Sequence, residues 1–486
     1  MTFVATLEPK PLWGHFDEIL TIPRGSKEEE KARQYVIEVA QRHGFSHQSD
    51  PTGNIVVRKP AAKGYEDAPV TILQSHLDMV NEKNSDVNHD FSKDPIQPQQ
   101  DGEYLTATGT TLGSDNGIGV AAMLAILEAD DLVHGPLEML FTVDEETGLN
   151  GAAGLDASML EGRRLINLDS EEEGSLCVGC AGGADSTVTL PLTTMSTPDG
   201  SVGVTVKLHG LKGGHSGIDI RLQRGNATKL LARALYAASI DQEFHLANLE
   251  GGNKHNAIPR EAAATLTIAA DGKQALIEAL TSEIEDIQEE FKPVEPDMGV
   301  EITEVEAPGE VWDAATADKV LQLIEALPHG IVSMSYAIPD LVETSTNFAT
   351  VNVDDGKLVI LLSSRSSVAS AMTALKLKIR ATASLAGAEV SEEDGYPGWE
   401  PDLDSELLGL LKEIHEDKTG VAPKIEAVHA GLECALVGKK IPGMDMISMG
   451  PKIEFPHSPD ERVKIASVAT FWELLTATLE KLAKSA

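Results

Sequence analysis

From Lys27 to His43 the residues Ala32, Tyr35, Val36, Val39 and Ala40 recur at the three- and four-residue spacing of a helix with one apolar face. Short apolar, β-rich runs follow at Asn54 to Val57, Val70 to Leu73, Leu137 to Val143 and Arg164 to Leu168, and between them Gly117 to Ala129 reads as an Ala-, Leu- and Ile-rich helix. Strands alternating with helices predict an α/β sheet covered on both faces. Ligands of such sheets sit beyond the carboxyl ends of the strands, so the polar residues just after those runs are where chemistry is expected.

The texture changes near Gly183. Alternating strands such as Val204 to Leu208 and long amphipathic helices such as Asp271 to Phe291 take over, with a faint duplication of roughly a hundred residues. One copy runs helix (Ala227 to Ser239), strand (Phe244 to Leu249), turn, strand (Ala262 to Ala269), helix (Gln274 to Phe291), strand (Val300 to Val305). The other runs helix (Ala317 to Leu327), strand (Asn347 to Val353), turn, strand (Leu358 to Ser363), helix (Ala369 to Leu385), strand (Ala388 to Ser391). After the turn-rich Gly395, Tyr396, Pro397, Gly398, Trp399 stretch, α/β character returns, with helices near Glu406 to Lys418 and Ala466 to Lys484. The division is therefore a discontinuous α/β domain, residues 1–184 and 395–486, interrupted by an internally duplicated α+β domain over 185–394.

A chain of 486 residues, 42% hydrophobic, can bury large cores, which excludes a disordered protein. Its 39 Lys and Arg stand against 77 Asp and Glu, a formal charge of −38 that repels nucleic acid and anionic lipid. No apolar run reaches the ~18 residues of a membrane span, and Met1 to Trp13 lacks the charged start and apolar stretch of a secretory signal, so the expectation is a cytoplasmic protein with no membrane partner. Three cysteines make no disulfide framework, and Cys177-x-x-Cys180 has only the distant Cys434 to join it, so this pair is left to the core.

The strand ending at Ser75 leads into His76-Leu77-Asp78, whose imidazole and carboxylate share one side of an extended chain. Ser114 and Asp115 open the apolar helix, where taken alone they read as caps. Glu145 and Glu146 follow the strand Met139 to Val143, Asp169 follows Arg164 to Leu168, and His457 stands near the far terminus between Pro456 and Ser458. Singly each is an ordinary surface group. Repeated at strand ends of one α/β domain, they describe a metal centre, because converging carboxylates repel one another unless cations neutralise them. Oxygen ligands with imidazole and no thiolate suit two divalent ions, zinc foremost, with manganese or cobalt as alternatives.

In order along the chain, His76-x-Asp78, Gly113-Ser114-Asp115-Asn116-Gly117, Asp144-Glu145-Glu146-Thr147-Gly148, Asn167-Leu168-Asp169, Gly213-Gly214-His215-Ser216-Gly217 and Pro456-His457-Ser458 resemble the motifs of the M20 metallopeptidase family. The stretches Asp169-Ser170-Glu171-Glu172, Cys177 to Gly183, Gly395 to Trp399 and His429-Ala430-Gly431-Leu432-Glu433-Cys434 look like its bacterial aminoacyl-histidine dipeptidase branch. The resemblance implies a two-metal peptidase domain with an inserted lid. It implies that Asp115 bridges two ions, with His76 and Asp169 completing one site and Glu146 and His457 the other, and that Asp78 orients His76. Glu145 becomes the general base of a water-mediated hydrolysis of dipeptides, Xaa-His dipeptides such as carnosine included. His215 is the implied oxyanion donor. Asn256 and Arg365 are candidates for the substrate carboxylate, and Gly431 and Glu433 for the pocket wall, with Glu433 facing the free amino terminus.

A related aminopeptidase, tripeptidase or N-acyl amino acid deacylase would use the same chemistry, and a non-catalytic metal-binding protein is the alternative from another class. A base beside a ligand, as Glu145 beside Glu146, favours the enzyme. Monomer and homodimer both stay open. Neither a phosphate-binding loop nor a Gly-x-Ser-x-Gly elbow is present.

Overall fold

The computed structural model describes residues 2–485, so Met1, the first residue of the segment read for a signal, lies outside the described residues. Among these residues no helix is long and apolar enough to cross a membrane. The chain divides into two compact units: residues 1–179, 399–427 and 432–486 form the first, and residues 180–398 with 428–431 the second.

The first unit is built on a mixed eight-stranded sheet, counted among the described residues, in the order Ser46–Ser49, Ile55–Lys59, Leu137–Thr142, Thr71–His76, Arg164–Asn167, Asp445–Ser448, Ser175–Cys180, Lys424–Val428. Thr71–His76 lies parallel to Leu137–Thr142 on one side and to Arg164–Asn167 on the other, with His76 opposite Thr142 and Gln74 opposite Asn167. Parallel neighbours put their carboxyl ends on one edge, which is why three chain segments deliver His76, Glu145 and Asp169 to the same place. The strands 71–76 and 137–142 are buried throughout. So is the helix Ser114–Glu128 from Ser114 to Leu127, an all-round apolar helix that has no polar face to offer solvent. A smaller sheet of four described strands, ordered Ile453–Glu454, Arg462–Lys464, Tyr104–Ala107, Pro98–Asp101, holds the turn that carries His457.

The second unit is a wholly antiparallel nine-stranded sheet among the described residues. Its main path is Gly299–Val305, Ser201–His209, Ala262–Ala269, His245–Gly251, Val342–Asp354, Lys357–Ser366, Gly182–Pro191, Glu389–Glu392, and Gly330–Met334 pairs with Val342–Asp354 off that path. The helices Lys273–Phe291, Ala227–Ala238, Ala314–Ala326 and Ala369–Ala386 pack side by side in that order over one core containing Leu231, Leu249, Ile284, Phe348, Leu362 and Ile379. The order is symmetric about the central pair His245–Gly251 and Val342–Asp354, each half being a strand-helix-strand-strand-helix-strand unit. The sequence reading recovered two helices and three strands of each half; it read Val204 to Leu208 as a strand without assigning it to a copy, and did not find the other opening strand, Gly182–Pro191. Those strands explain the faintness of the repeat: Gly182–Pro191, the first strand of one half, precedes the whole of the other half in the chain.

The unit boundaries differ from those read in the sequence by a few residues, for a local reason. Gly183 and Tyr396 exchange backbone hydrogen bonds of 3.1 Å, so the entering and leaving segments are paired to each other. That pairing places residues 180–184 and 395–398 together with the inserted unit.

His329 gives this unit an acid sensitivity. Its Nδ1 accepts from Phe348 N at 3.2 Å and faces Asn226 Nδ2 at 3.4 Å, so the ring is neutral, and burial, seconded by the Lys229 charge, pushes its pKa down to about 3. The unfolded chain takes up the proton below about pH 6.5 and the folded chain does not, so the stabilisation is complete above that pH and is lost progressively on acidification. Thermal unfolding measured against pH is expected to show a shallower acid decline for His329→Gln than for the wild type; parallel curves would remove His329 from the account.

Candidate metal centre

Asp115 is the middle of the site. It sits in a non-helical turn at the start of helix Ser114–Glu128, with φ −78° and ψ 112°, and does not cap that helix. Glu461 does so: its Oε2 accepts from Leu112 N and Gly113 N at 2.8 Å, and its Oε1 from Ser114 N at 2.7 Å, Ser114 Oγ at 2.5 Å and Asp115 N at 3.3 Å. The capping alternative read for Ser114 and Asp115 is therefore filled by a carboxylate far along the chain, which frees Asp115 to face inward. Buried Arg24 ties the same turn to the end of strand 71–76, donating to Leu77 O at 3.0 Å, Asp78 O at 2.7 Å and Gly113 O. Gly113 has φ 73°, and a Cβ there would fall within 3 Å of Arg24 and Met79, so the turn needs glycine.

The two oxygens of Asp115 face different imidazoles. Oδ1 lies 3.0 Å from His76 Nε2, which is also 3.7 Å from Asp169 Oδ1; Oδ2 lies 3.1 Å from His457 Nε2, which is 2.9 Å from Glu146 Oε2. Asn116 holds Asp169 by donating from Nδ2 to its Oδ1 and to Leu168 O at 2.9 Å. Asp78, fully buried, stands 3.3 Å from His76 Nδ1 and accepts from Glu145 N and Glu146 N at 3.1 Å and from Ser26 Oγ at 2.8 Å. One carboxylate thus sets both the first imidazole and the backbone of the two glutamates.

The charges explain what this arrangement wants. Burial alone would lower His76, yet Asp169, Asp115 and Asp78 hold it well above the ordinary imidazole range. His457 is pushed up to about 11 by its contacts with Asp115 and Glu146. Burial opposes ionisation of Asp115, but the two histidines hold it below the usual carboxylate range. Burial raises Glu145 well above that range, with Asp169, Glu433 and Glu146 adding repulsion. A carboxylate cluster of this kind demands cations at the points where the imidazole nitrogens meet it.

The donor atoms fit such cations. Ligands at about 2.0–2.2 Å from one tetrahedral ion stand roughly 3.3–3.6 Å apart, and the contacts above span 2.9 to 3.7 Å. Glu146 Oε1 is buried with no hydrogen-bond partner. His76, Asp115 and Glu146 also meet the general spacing of a metal-holding group.

Residues 72–481 match the profile of peptidase family M20/M25/M40. The chain belongs to this family. It is 42% identical to the cytosol non-specific dipeptidase of Escherichia coli over 99% of both chains. The crystal structure of aminoacylhistidine dipeptidase from Vibrio alginolyticus superposes with a TM-score of 0.92 at 43% identity, covering 99% of this chain and 98% of that one. The aminopeptidase PepT from Bacillus cereus, at 17% identity over 98% of this chain and 99% of its own, shares the fold with a TM-score of 0.56. The mixed α/β fold read from the sequence is that of this peptidase family.

The remaining residues singled out in the sequence divide between the units. Glu433 belongs to the first, 1% exposed, with Oε2 accepting from Gln74 Nε2 and Thr142 Oγ1 at 2.6 Å each and Oε1 unpartnered; burial pushes it up to about 7. His215, Asn256, Arg365 and Gly431 belong to the second. There, Ser216 N donates to Asn256 O at 2.9 Å, and Gly217 lies between His215 Cε1 and Arg365 Nε, each 3.1 Å from where its Cβ would stand. Buried Arg365 donates from Nη1 to Tyr396 Oη at 2.9 Å and leaves Nε without a partner, while His429, two residues before Gly431, meets Ser345 Oγ at 2.7 Å.

Sequence reasoning missed Glu461, Arg24 and the supporting roles of Asn116 and Glu171. Glu171 is half-buried, with φ 56°, and burial followed by the charges of Asp115 and Asp169 raises it well above the ordinary range. Glu171 and Asn116 stood inside the quoted motifs; Glu461 and Arg24 carried no local signal. Glu461→Ala is expected to strand buried N–H groups of the Asp115 turn, costing about 2 kcal/mol or more in denaturant unfolding and about 10–100-fold in metal affinity.

Proposed function

We propose that this chain hydrolyses dipeptides, aminoacyl-histidine dipeptides among them, by adding water to the peptide carbonyl with the help of two divalent ions. The observation that carries this reading is the pair of Asp115 oxygens, each 3.0–3.1 Å from a different histidine, beside a glutamate that no ion needs. The names of the E. coli and Vibrio relatives support the substrate class.

His76, Asp115 and Asp169 would hold one ion, and Asp115, Glu146 and His457 the other. Zinc is the proposed metal, with manganese and cobalt the alternatives that oxygen and imidazole donors admit. When bound, such ions acidify water and polarise a carbonyl. Glu145 takes the proton from the attacking water and returns it to the departing amine, so no acyl-enzyme forms. Asp78 keeps Glu145 in place through its backbone and keeps the His76 ring oriented. From the inserted unit, Arg365, with its unpartnered Nε, is proposed to grip a carboxylate alongside Asn256, and His215 to stabilise the oxyanion. Gly431 and Glu433 are proposed for the pocket wall, Glu433 facing the substrate's amino group. A cytoplasmic address accords with the name of the E. coli relative.

Glu145→Gln is expected to keep the wild-type metal content while kcat falls by about 10²–10⁴ or more. Metal analysis together with hydrolysis of carnosine and Leu-Gly checks this, and near-wild-type turnover would strip Glu145 of its role. Chelation is expected to abolish hydrolysis and readdition of single metals to restore it to different extents. A panel of dipeptides, tripeptides and N-acyl amino acids separates the dipeptidase from an aminopeptidase or deacylase: turnover confined to tripeptides or acyl substrates would overturn the substrate assignment.

A further inference from the structure

The two histidines that meet Asp115 are supported in opposite ways. His76 ends a buried strand, its side chain is 1% exposed, and Asp78 backs its Nδ1. The His457 side chain is 53% exposed and sits in the turn between Ile453–Glu454 and Arg462–Lys464. Both Phe455 and His457 there adopt positive φ, 56° and 59°, a conformation that side-chain-bearing residues hold only when their surroundings impose it. Some of that support lies inside the turn: Ser458 Oγ donates to Phe455 O at 3.0 Å, and Glu461 N donates to Ser458 O at 3.0 Å.

Further support comes from Arg462. It pairs across the strands with Glu454, and both its Nε and its Nη2 reach Glu454 Oε2, at 2.7 and 2.6 Å. Its guanidinium lies over the Tyr104 ring, 4.3 Å from the centroid, and 5.2 Å from the centroid of Phe455, whose ring is otherwise largely exposed. A planar cation held against both rings can restrain Phe455, two residues before His457, at the point where the chain turns left-handed; a lysine would keep the charge and lose the planar face and the double contact. The adjacent Glu461 grips the Asp115 turn through five hydrogen bonds. Neighbouring residues therefore anchor two segments of the centre, Glu461 the shared carboxylate and Arg462 the exposed imidazole.

We propose that Arg462 is a positioning residue for His457, so that the ion held by His457 and Glu146 depends on the Glu454–Arg462–Phe455 clamp while the ion held by His76 and Asp169 does not. This rests on the two-ion reading above. Metal-free protein is titrated with Co²⁺, followed by calorimetry and by visible absorption, for the wild type and for Arg462→Met, Arg462→Lys and Phe455→Leu. The wild type is expected to take up two ions. Arg462→Met should leave one with wild-type affinity and weaken the other about 10–100-fold; Arg462→Lys should lose nearly as much, and Phe455→Leu less, in the same ion. Phe455→Leu changes an exposed ring and keeps the test open should Arg462→Met fail to fold. Two ions bound as tightly in the variants as in the wild type, or an equal loss of both, would overturn the clamp and leave the two-ion reading standing. Fewer than two ions on the wild type would overturn the two-ion reading, and the clamp with it.

Discussion

One carboxylate shared between two imidazoles governs this molecule. Asp115 can present one oxygen to His76 and the other to His457 only if its backbone leaves the helix that begins beside it, and that departure strands the amides of the turn. Glu461 takes up those amides, and Arg24 ties the turn to the strand end that bears His76. The site is thus held by two buried ionic side chains that touch no donor–imidazole contact themselves, and their burial is tolerable because each is hydrogen-bonded to several backbone groups.

Around that turn, the parallel strands do the gathering. Thr71–His76, Leu137–Thr142 and Arg164–Asn167 point the same way and are buried, so the first polar residues beyond them emerge together at one edge. Asp78 then converts proximity into order: it accepts from the backbone of both glutamates and backs the His76 ring. This is how adjacent Glu145 and Glu146 are given different surroundings. Glu146 is drawn to His457, while Glu145 is left in a buried, negatively charged neighbourhood that suits a proton acceptor once cations are present. The inserted unit shows a separate economy, a main core covered by four described helices over a sheet whose two halves mirror each other.

Much of this was legible in the chain itself. Hydrophobic runs of the right length marked the strands 71–76, 137–142 and 164–167 and the helix 114–128 to within a few residues, because burial on both faces favours apolar residues along most of each element. Candidate residues such as His76, Glu145, Glu146 and Asp169 were legible because they sit at or just after the ends of those strands, where an α/β sheet exposes side chains to a ligand, whereas Asp115 opens a helix and His457 lies in a distant turn. The helices of the inserted unit could be read from their apolar stripes, and its duplication from the order of elements.

Other features had no local trace. Glu461 looks like one surface acid among 77 Asp and Glu, and Arg24 like one of 39 Lys and Arg, until the fold brings each against backbone groups distant in the chain. The first strand of the second half, Gly182–Pro191, could not be assigned to its repeat from order alone, since strand pairing and not chain position decides which neighbours it joins. Sequence by itself determined which groups are candidates for the chemistry and which segments are buried, because periodicity and residue type are local properties. Tertiary structure alone decided which oxygen faces which nitrogen and which distant residue satisfies the Asp115 turn, because hydrogen bonds and charge contacts act over a few ångströms in space regardless of separation along the chain.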